Sequence, residues 1–222
     1  MTILKGSALP PRSGTAKSIL VLLHGYGANG DDLLSIGQEW AALLPDTVFA
    51  APNAPDICEV FGGGFQWFGL RTQDGPLTKE GLDRKELIQK PAAALNAYLD
   101  ALLTEWMLDD SHLVVAGFSQ GAMMVMYAMP RRKKPCAGVI GWSGMLIDAP
   151  GLLGADIVKM PVLAIHGDED GVVPPLCLDG VREGFEGAGF EVEAIMRPRL
   201  GHGIDQFGLA RSLEFVQEAF QK

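Results

Sequence analysis

The chain has 222 residues, of which 48% are hydrophobic and 20% charged, with a formal net charge of −9. That length suits one domain, residues 1–222, with a sizeable core, and the composition excludes an intrinsically disordered chain. The negative charge argues against nucleic acid, which is bound by neutralising phosphates with Lys and Arg, and against docking on anionic lipid.

From the N-terminus, MTILKGSALPPRSG has no apolar stretch of signal-peptide type, and no later apolar run approaches the length that spans a bilayer. No stable membrane insertion and a cytoplasmic location are the expectations. Room remains before Ser18 for one short strand. Strand-sized apolar runs then recur at Ile19 to Leu23, Thr47 to Ala51, Leu113 to Ala116, Gly138 to Trp142, Val162 to Ile165 and Val192 to Met196. Nearly continuous apolar runs with helical segments between them predict a mostly parallel sheet covered by helices on both faces. Ile88, Ala92, Leu95, Leu99, Leu102 and Trp106 recur at helical spacing, with Pro91 marking a kink or a helix start. Leu213, Val216 and Phe220 make a similar stripe on the last helix. The gap from Ser143 to Met160 is too short for a cap domain.

The least regular stretch is Pro52 to Gly81, with Gly62-Gly63-Gly64 and the aromatics Phe61, Phe65, Trp67 and Phe68. A long loop in a compact domain is uncommon and often functional, yet such aromatics serve equally well as core plugs beneath a loop. Cys58, Cys136 and Cys177 are odd in number, far apart and without metal-ligand spacing, so they are read as reduced thiols and no metal is expected. The basic run Arg131 to Lys134 reads as a solvated helix end, where cations suit the helix dipole.

Chemistry concentrates at Gly117-Phe118-Ser119-Gln120-Gly121, a G-x-S-x-G pattern between the strand run Val114 to Ala116 and an apolar helical run from Met123. A serine beside glycines is commonly a turn or helix cap. In this strand-to-helix context it reads as a nucleophile elbow, where small neighbours let strand and helix pack closely and the hydroxyl is held outward. A serine hydroxyl needs a base, and the base an orienting carboxylate, in the chain order Ser, acid, His. Of four histidines, only His202, in Gly201-His202-Gly203 after the last strand run, fits the base position. His24 and His166 read as hydrogen-bonding groups of tight turns, and His112 as a surface residue at the opposite sheet edge. For the acid, HGDEDGVVP offers Asp168, Glu169 and Asp170. Composition does not choose among them. Turn logic favours Asp170, because Asp168 is placed to bond local amides. Oxyanion donors are expected from the backbone N–H of Gln120 and from the glycine-rich loop His24 to Gly30, where Tyr26 would contribute its amide. Ser143, in Gly141-Trp142-Ser143-Gly144, lacks the final glycine of the elbow and reads as a turn hydroxyl.

The segments ILVLLHGYGANGDDL, APNAP, QWFGL, VVAGFSQGAMM, HGDEDGVVP and LGHGI, in this order, resemble the bacterial carboxylesterase and acyl-protein thioesterase family, the phospholipase/carboxylesterase group of α/β-hydrolases. The resemblance covers nearly the whole chain. It implies Ser119 as nucleophile, Asp170 as triad acid, His202 as base, and the amides of Tyr26 and Gln120 as oxyanion donors. Many members have leucine where this chain has Tyr26, a change that keeps the amide and alters the channel mouth. The resemblance also places Gln66 to Phe68 beside the substrate cleft, so Phe65, Trp67 and Phe68 are candidate substrate contacts. It implies a small-molecule ester or thioester as substrate and no organic cofactor, and it is compatible with a homodimer. The activity expected is hydrolysis of short- to medium-chain carboxylic esters. The rivals are an acyl-protein thioesterase or lysophospholipase using the same residues, and a noncatalytic ligand receptor on the same fold.

Overall fold

The computed structural model describes residues 4–72, 75–76 and 85–221. Its centre is a seven-stranded sheet. In chain order the strands are β1 (Gly6–Leu9), β2 (Ser18–Leu23), β3 (Thr47–Pro52), β4 (Leu113–Phe118), β5 (Gly138–Trp142), β6 (Val162–Gly167) and β7 (Val192–Arg197). The spatial order is β1-β3-β2-β4-β5-β6-β7, with only β1 antiparallel to its neighbour. All six apolar runs are strands, and the room before Ser18 holds β1. Strands β2 to β6 are buried along their length, which is why their side chains are apolar without alternation.

Among the described residues five α-helices cover the sheet: α1 (Gly30–Trp40), α2 (Lys85–Glu105), α3 (Gln120–Ala128), α4 (Cys177–Gly187) and α5 (Gln206–Phe220). On one face Ile19, Val21 and Leu23 of β2 pack in the same cluster as Leu95 and Leu99 of α2, Met124 of α3 and Phe185 of α4. On the other, Leu20 and Leu22 join Trp40 of α1 and Phe215 of α5. Alternate residues of one strand thus feed two cores. Helix α1 starts at a capping box: Asn29 Oδ1 accepts from the Asp31 amide, and Asp32 Oδ2 accepts from the Asn29 amide. Helix α3 is buried on every side, as its all-round apolar sequence requires.

Pro91 lies inside α2, not at its start. The basic run is also less solvated than its composition suggests. Arg132 is 8% exposed, with its guanidinium between Asp100 and Asp110, and Arg131 bonds Asp148 and stacks on Tyr127. Only Lys133 and Lys134 face solvent. Between β5 and β6 the described chain carries a single 3-10 segment, Ala149–Leu153, rather than a cap. Among the described residues no helix is long and apolar enough to cross a membrane.

The chain leaves β2 toward β3 on one side, while β4 starts a run of strands on the other. The carboxyl ends of β2 and β4 therefore flank the topological switch point, where loops diverge and leave a crevice.

Candidate active site

Ser119 occupies that crevice. Strand β4 ends at Phe118 and α3 begins at Gln120, so the serine alone makes the turn, with φ 53° and ψ −114°. A non-glycine residue in this region costs on the order of 1–3 kcal/mol, which the surroundings must over-determine. They do so from both sides. The Ser119 amide donates to the Trp142 carbonyl at 2.8 Å, and its carbonyl accepts from Met123 at 3.1 Å. A Cβ on Gly117 would lie 2.3 Å from the Gly121 carbonyl, and one on Gly121 would lie 2.1 Å from the Leu23 carbonyl. The two glycines are thus required by the close approach of strand, helix and neighbouring strand end.

Asp170 follows β6, and its side chain is fully buried. Oδ1 accepts from the amides of Val172 (2.8 Å) and Val173 (2.9 Å), and Oδ2 accepts from His202 Nδ1 at 2.8 Å. Burial pushes this carboxyl up, but the bonds from His202, Val172 and Val173 outweigh it and hold the group below its ordinary value. Asp170 is therefore ionised, and His202 is turned so that its other nitrogen is free of the acid. The His202 ring packs against Phe118 at 4.8 Å between centroids. Ser119, His202, Tyr26 and Gln120 all line one open cleft of about 660 Å³. The structure brings together every residue expected for triad and oxyanion roles.

The other candidates separate cleanly. Asp168 accepts from the Arg199 amide across 31 residues, clamping the loop that carries His202. His112 is half-buried and pairs with Asp109. His24 is fully buried. Its Nδ1 donates to the Gly25 carbonyl at 2.7 Å, since a carbonyl only accepts, and Nε2 accepts from the Ala54 amide at 2.9 Å. Burial lowers its pKa, against smaller opposing effects of the Gly25 carbonyl and Asp32, so it is a neutral strut of the loop that carries Tyr26. His166 Nε2 donates to the Val173 carbonyl.

The aromatic candidates need correction. Trp67 is fully buried and Phe68 is 3% exposed, and neither lines the cleft. Trp67 Nε1 donates to the His24 carbonyl at 3.0 Å, and the Gln120 side chain accepts from the Trp67 amide and donates to the Phe68 carbonyl. Phe65 lines a different cavity, with Leu4, Asn53 and Pro91. This segment holds the site's loops in place and does not face the Ser119 cleft. The apolar lining comes instead from Leu33, Phe61, Leu70, Met123, Val172 and Ile204. Phe61 was visible as a loop aromatic, but Leu33 and Ile204 carry no sequence signal, because their role depends on which loops converge. The Gln120 side chain was missed for the same reason: its partners lie more than 50 residues away.

The phospholipase/carboxylesterase family model matches residues 7–219. Esterase PE8, a solved structure, is 36% identical and superimposes with a TM-score of 0.92 over 98% of this chain and 100% of that one. Acyl-protein thioesterase 1 homolog 1 of Dictyostelium discoideum is 24% identical, covering 100% of this chain and 99% of its own. Esterase YpfH of Escherichia coli is likewise 24% identical, over 93% of this chain and 85% of its own. Fold, site and likeness converge: the chain belongs to the phospholipase/carboxylesterase family of α/β-hydrolases and is a hydrolase of the carboxylesterase or acyl-protein thioesterase type.

Proposed function

We propose that this protein is a serine carboxylesterase that hydrolyses short- to medium-chain carboxylic esters through an acyl-enzyme. The observation that carries the reading is the 2.8 Å bond from His202 Nδ1 to a buried Asp170, in the cleft that also presents Ser119 on a strained turn. In this mechanism His202 Nε2 takes the Ser119 proton as Oγ attacks the ester carbonyl. The oxyanion is met by the amides of Tyr26 and Gln120, the latter at the N-terminus of α3, where the helix dipole adds to its pull. His202 then protonates the departing alcohol, activates water and releases the acid. Asp170 stays ionised and stabilises the imidazolium without taking its proton.

The cleft is lined mainly by apolar side chains and opens to solvent, which suits an acyl chain of modest length with the alcohol portion outside. Fluorophosphonate labelling with peptide mapping tests the nucleophile, with modification expected at Ser119. A series of aryl esters from acetate to palmitate tests the chain length, with kcat/KM expected to peak at four to eight carbons, roughly the length such an open pocket buries. A preference for palmitoyl groups, above all as a peptide thioester, would favour the thioesterase reading, which the apolar lining and the names of several relatives support. Among relatives is a probable inactive carboxylesterase of Oryza sativa, 24% identical. Ester binding by wild type without product release would place this chain with a noncatalytic receptor.

A further inference from the structure

The buried histidine of β6, His166, has no part in the mechanism above, yet it lies against the triad acid. Its side chain is 1% exposed. Nε2 is 2.9 Å from the Val173 carbonyl, and because a carbonyl only accepts, Nε2 carries the hydrogen. The same nitrogen is 3.3 Å from Asp170 Oδ2, the oxygen that also receives His202 Nδ1. Val173 is therefore held at both ends of its backbone. Its amide donates to Asp170 Oδ1, and its carbonyl accepts from His166.

From this geometry we propose that His166 is a positioning residue for the triad: it pins Val173, whose amide fixes the Asp170 carboxylate, and sets the positive end of an N–H dipole beside Oδ2. The inference rests on the serine-hydrolase reading of the site. Without His166, the turn from Asp170 to Val173 keeps its inner bonds and the 3.4 Å bond from the Asp170 amide to the Gly167 carbonyl, but its Val173 end loses the side-chain tie to β6. The carboxylate is then free to pivot about Oδ1, and the His202 ring follows it. A misplacement of about 1 Å in a reacting group costs on the order of 10²-fold in rate. Val173 also lines the cleft, so one histidine couples the acid to the wall of the acyl site.

Three variants separate positioning from packing. His166→Phe keeps the ring and removes the donor. His166→Gln restores a donor three bonds from Cβ, as in the imidazole, whereas the amide of His166→Asn is one bond short. With an aryl butyrate, His166→Phe and His166→Asn are expected to lower kcat by on the order of 10- to 100-fold, with KM within about twofold. His166→Gln should recover most of kcat. The proton NMR resonance of the His202 Nδ1–H bonded to Asp170, assigned by its absence in Asp170→Asn, should shift or vanish in the Phe and Asn variants and return in the Gln variant. Wild-type kcat in His166→Phe overturns the proposal. So does a Gln variant that folds but is as impaired as the Asn variant. If the Phe variant does not fold, the Asn and Gln pair decides on the same criteria. Fluorophosphonate labelling of the wild type keeps the two readings apart: no modification at Ser119 sinks the hydrolase reading itself, whereas modification with unaltered His166 variants sinks only the positioning role.

Discussion

Ser119 and Ser143 stand at the carboxyl ends of adjacent strands, β4 and β5, and share two backbone features. Both have a left-handed φ, 53° and 50°. Each donates its amide to the carbonyl of a residue on the next strand, Ser119 to Trp142 and Ser143 to Ile165. Their hydroxyls differ in surroundings. Ser119 is 9% exposed at the floor of the cleft, whereas Ser143 is fully buried and its Oγ donates to the Gly203 carbonyl at 3.3 Å. A strained turn at this sheet edge is thus not by itself the mark of a nucleophile. A nucleophile needs in addition an opening above the hydroxyl and a base beside it. Ser143, bonded to the Gly203 carbonyl, supports the backbone next to His202.

The largest expected effect breaks or upholds this contrast directly. Ser119→Ala should lower kcat/KM for an aryl butyrate by about 10⁴-fold or more, while Ser143→Ala should lose less than about tenfold, since it removes only a support of the loop. Comparable losses from the two would end the distinction. Next comes Gly121→Ala. The added methyl meets the Leu23 carbonyl at 2.1 Å and cannot be relieved by a side-chain rotation. A stability loss of about 1–3 kcal/mol is expected, read as a fall in Tm of about 2–4 °C per kcal/mol. Wild-type stability in this variant would show that the elbow tolerates a looser strand-helix approach.

Ser143→Ala should cost about 1 kcal/mol of stability, because the half-buried Gly203 carbonyl loses its donor, and urea unfolding of the two serine variants would measure the difference. The gentlest test is acid. Groups on the Ser119 side titrate, whereas the Ser143 to Gly203 bond has no ionising member. His24 has a folded pKa below its ordinary 6.5, so its contribution is complete above that pH and is lost progressively as the unfolded chain takes the proton that the folded chain refuses. Asp170, depressed below 3.8, adds a second loss as pH falls past that value. Tm should therefore begin to decline below pH 6.5 and fall further below pH 3.8. A Tm that rises on acidification through 6.5 would contradict the neutral His24.

The aromatic segment shows where legibility stopped. Phe65, Trp67 and Phe68 signalled that this loop mattered, and their composition fitted core and cleft equally. What decides is that Gln120 and the His24 carbonyl meet the Trp67-Phe68 backbone and indole from elsewhere in the chain. No local pattern encodes that encounter. The strands were legible because burial on both faces writes itself as unbroken apolar runs. Helix α4 was not singled out, since its apolar residues Leu178, Val181 and Phe185 are spread thinly among charged ones.

By itself the sequence determined the sheet, the elbow at Ser119 and the candidates for acid and base, because strand burial and tight turns depend on near neighbours. Only the tertiary structure decided that Asp170 rather than Asp168 meets His202, that Trp67 and Phe68 are struts, and that Ser143 is enclosed. Those outcomes depend on groups from separate loops arriving within about 3 Å of one another, the range in which hydrogen bonds form, and residue spacing along the chain does not carry that distance.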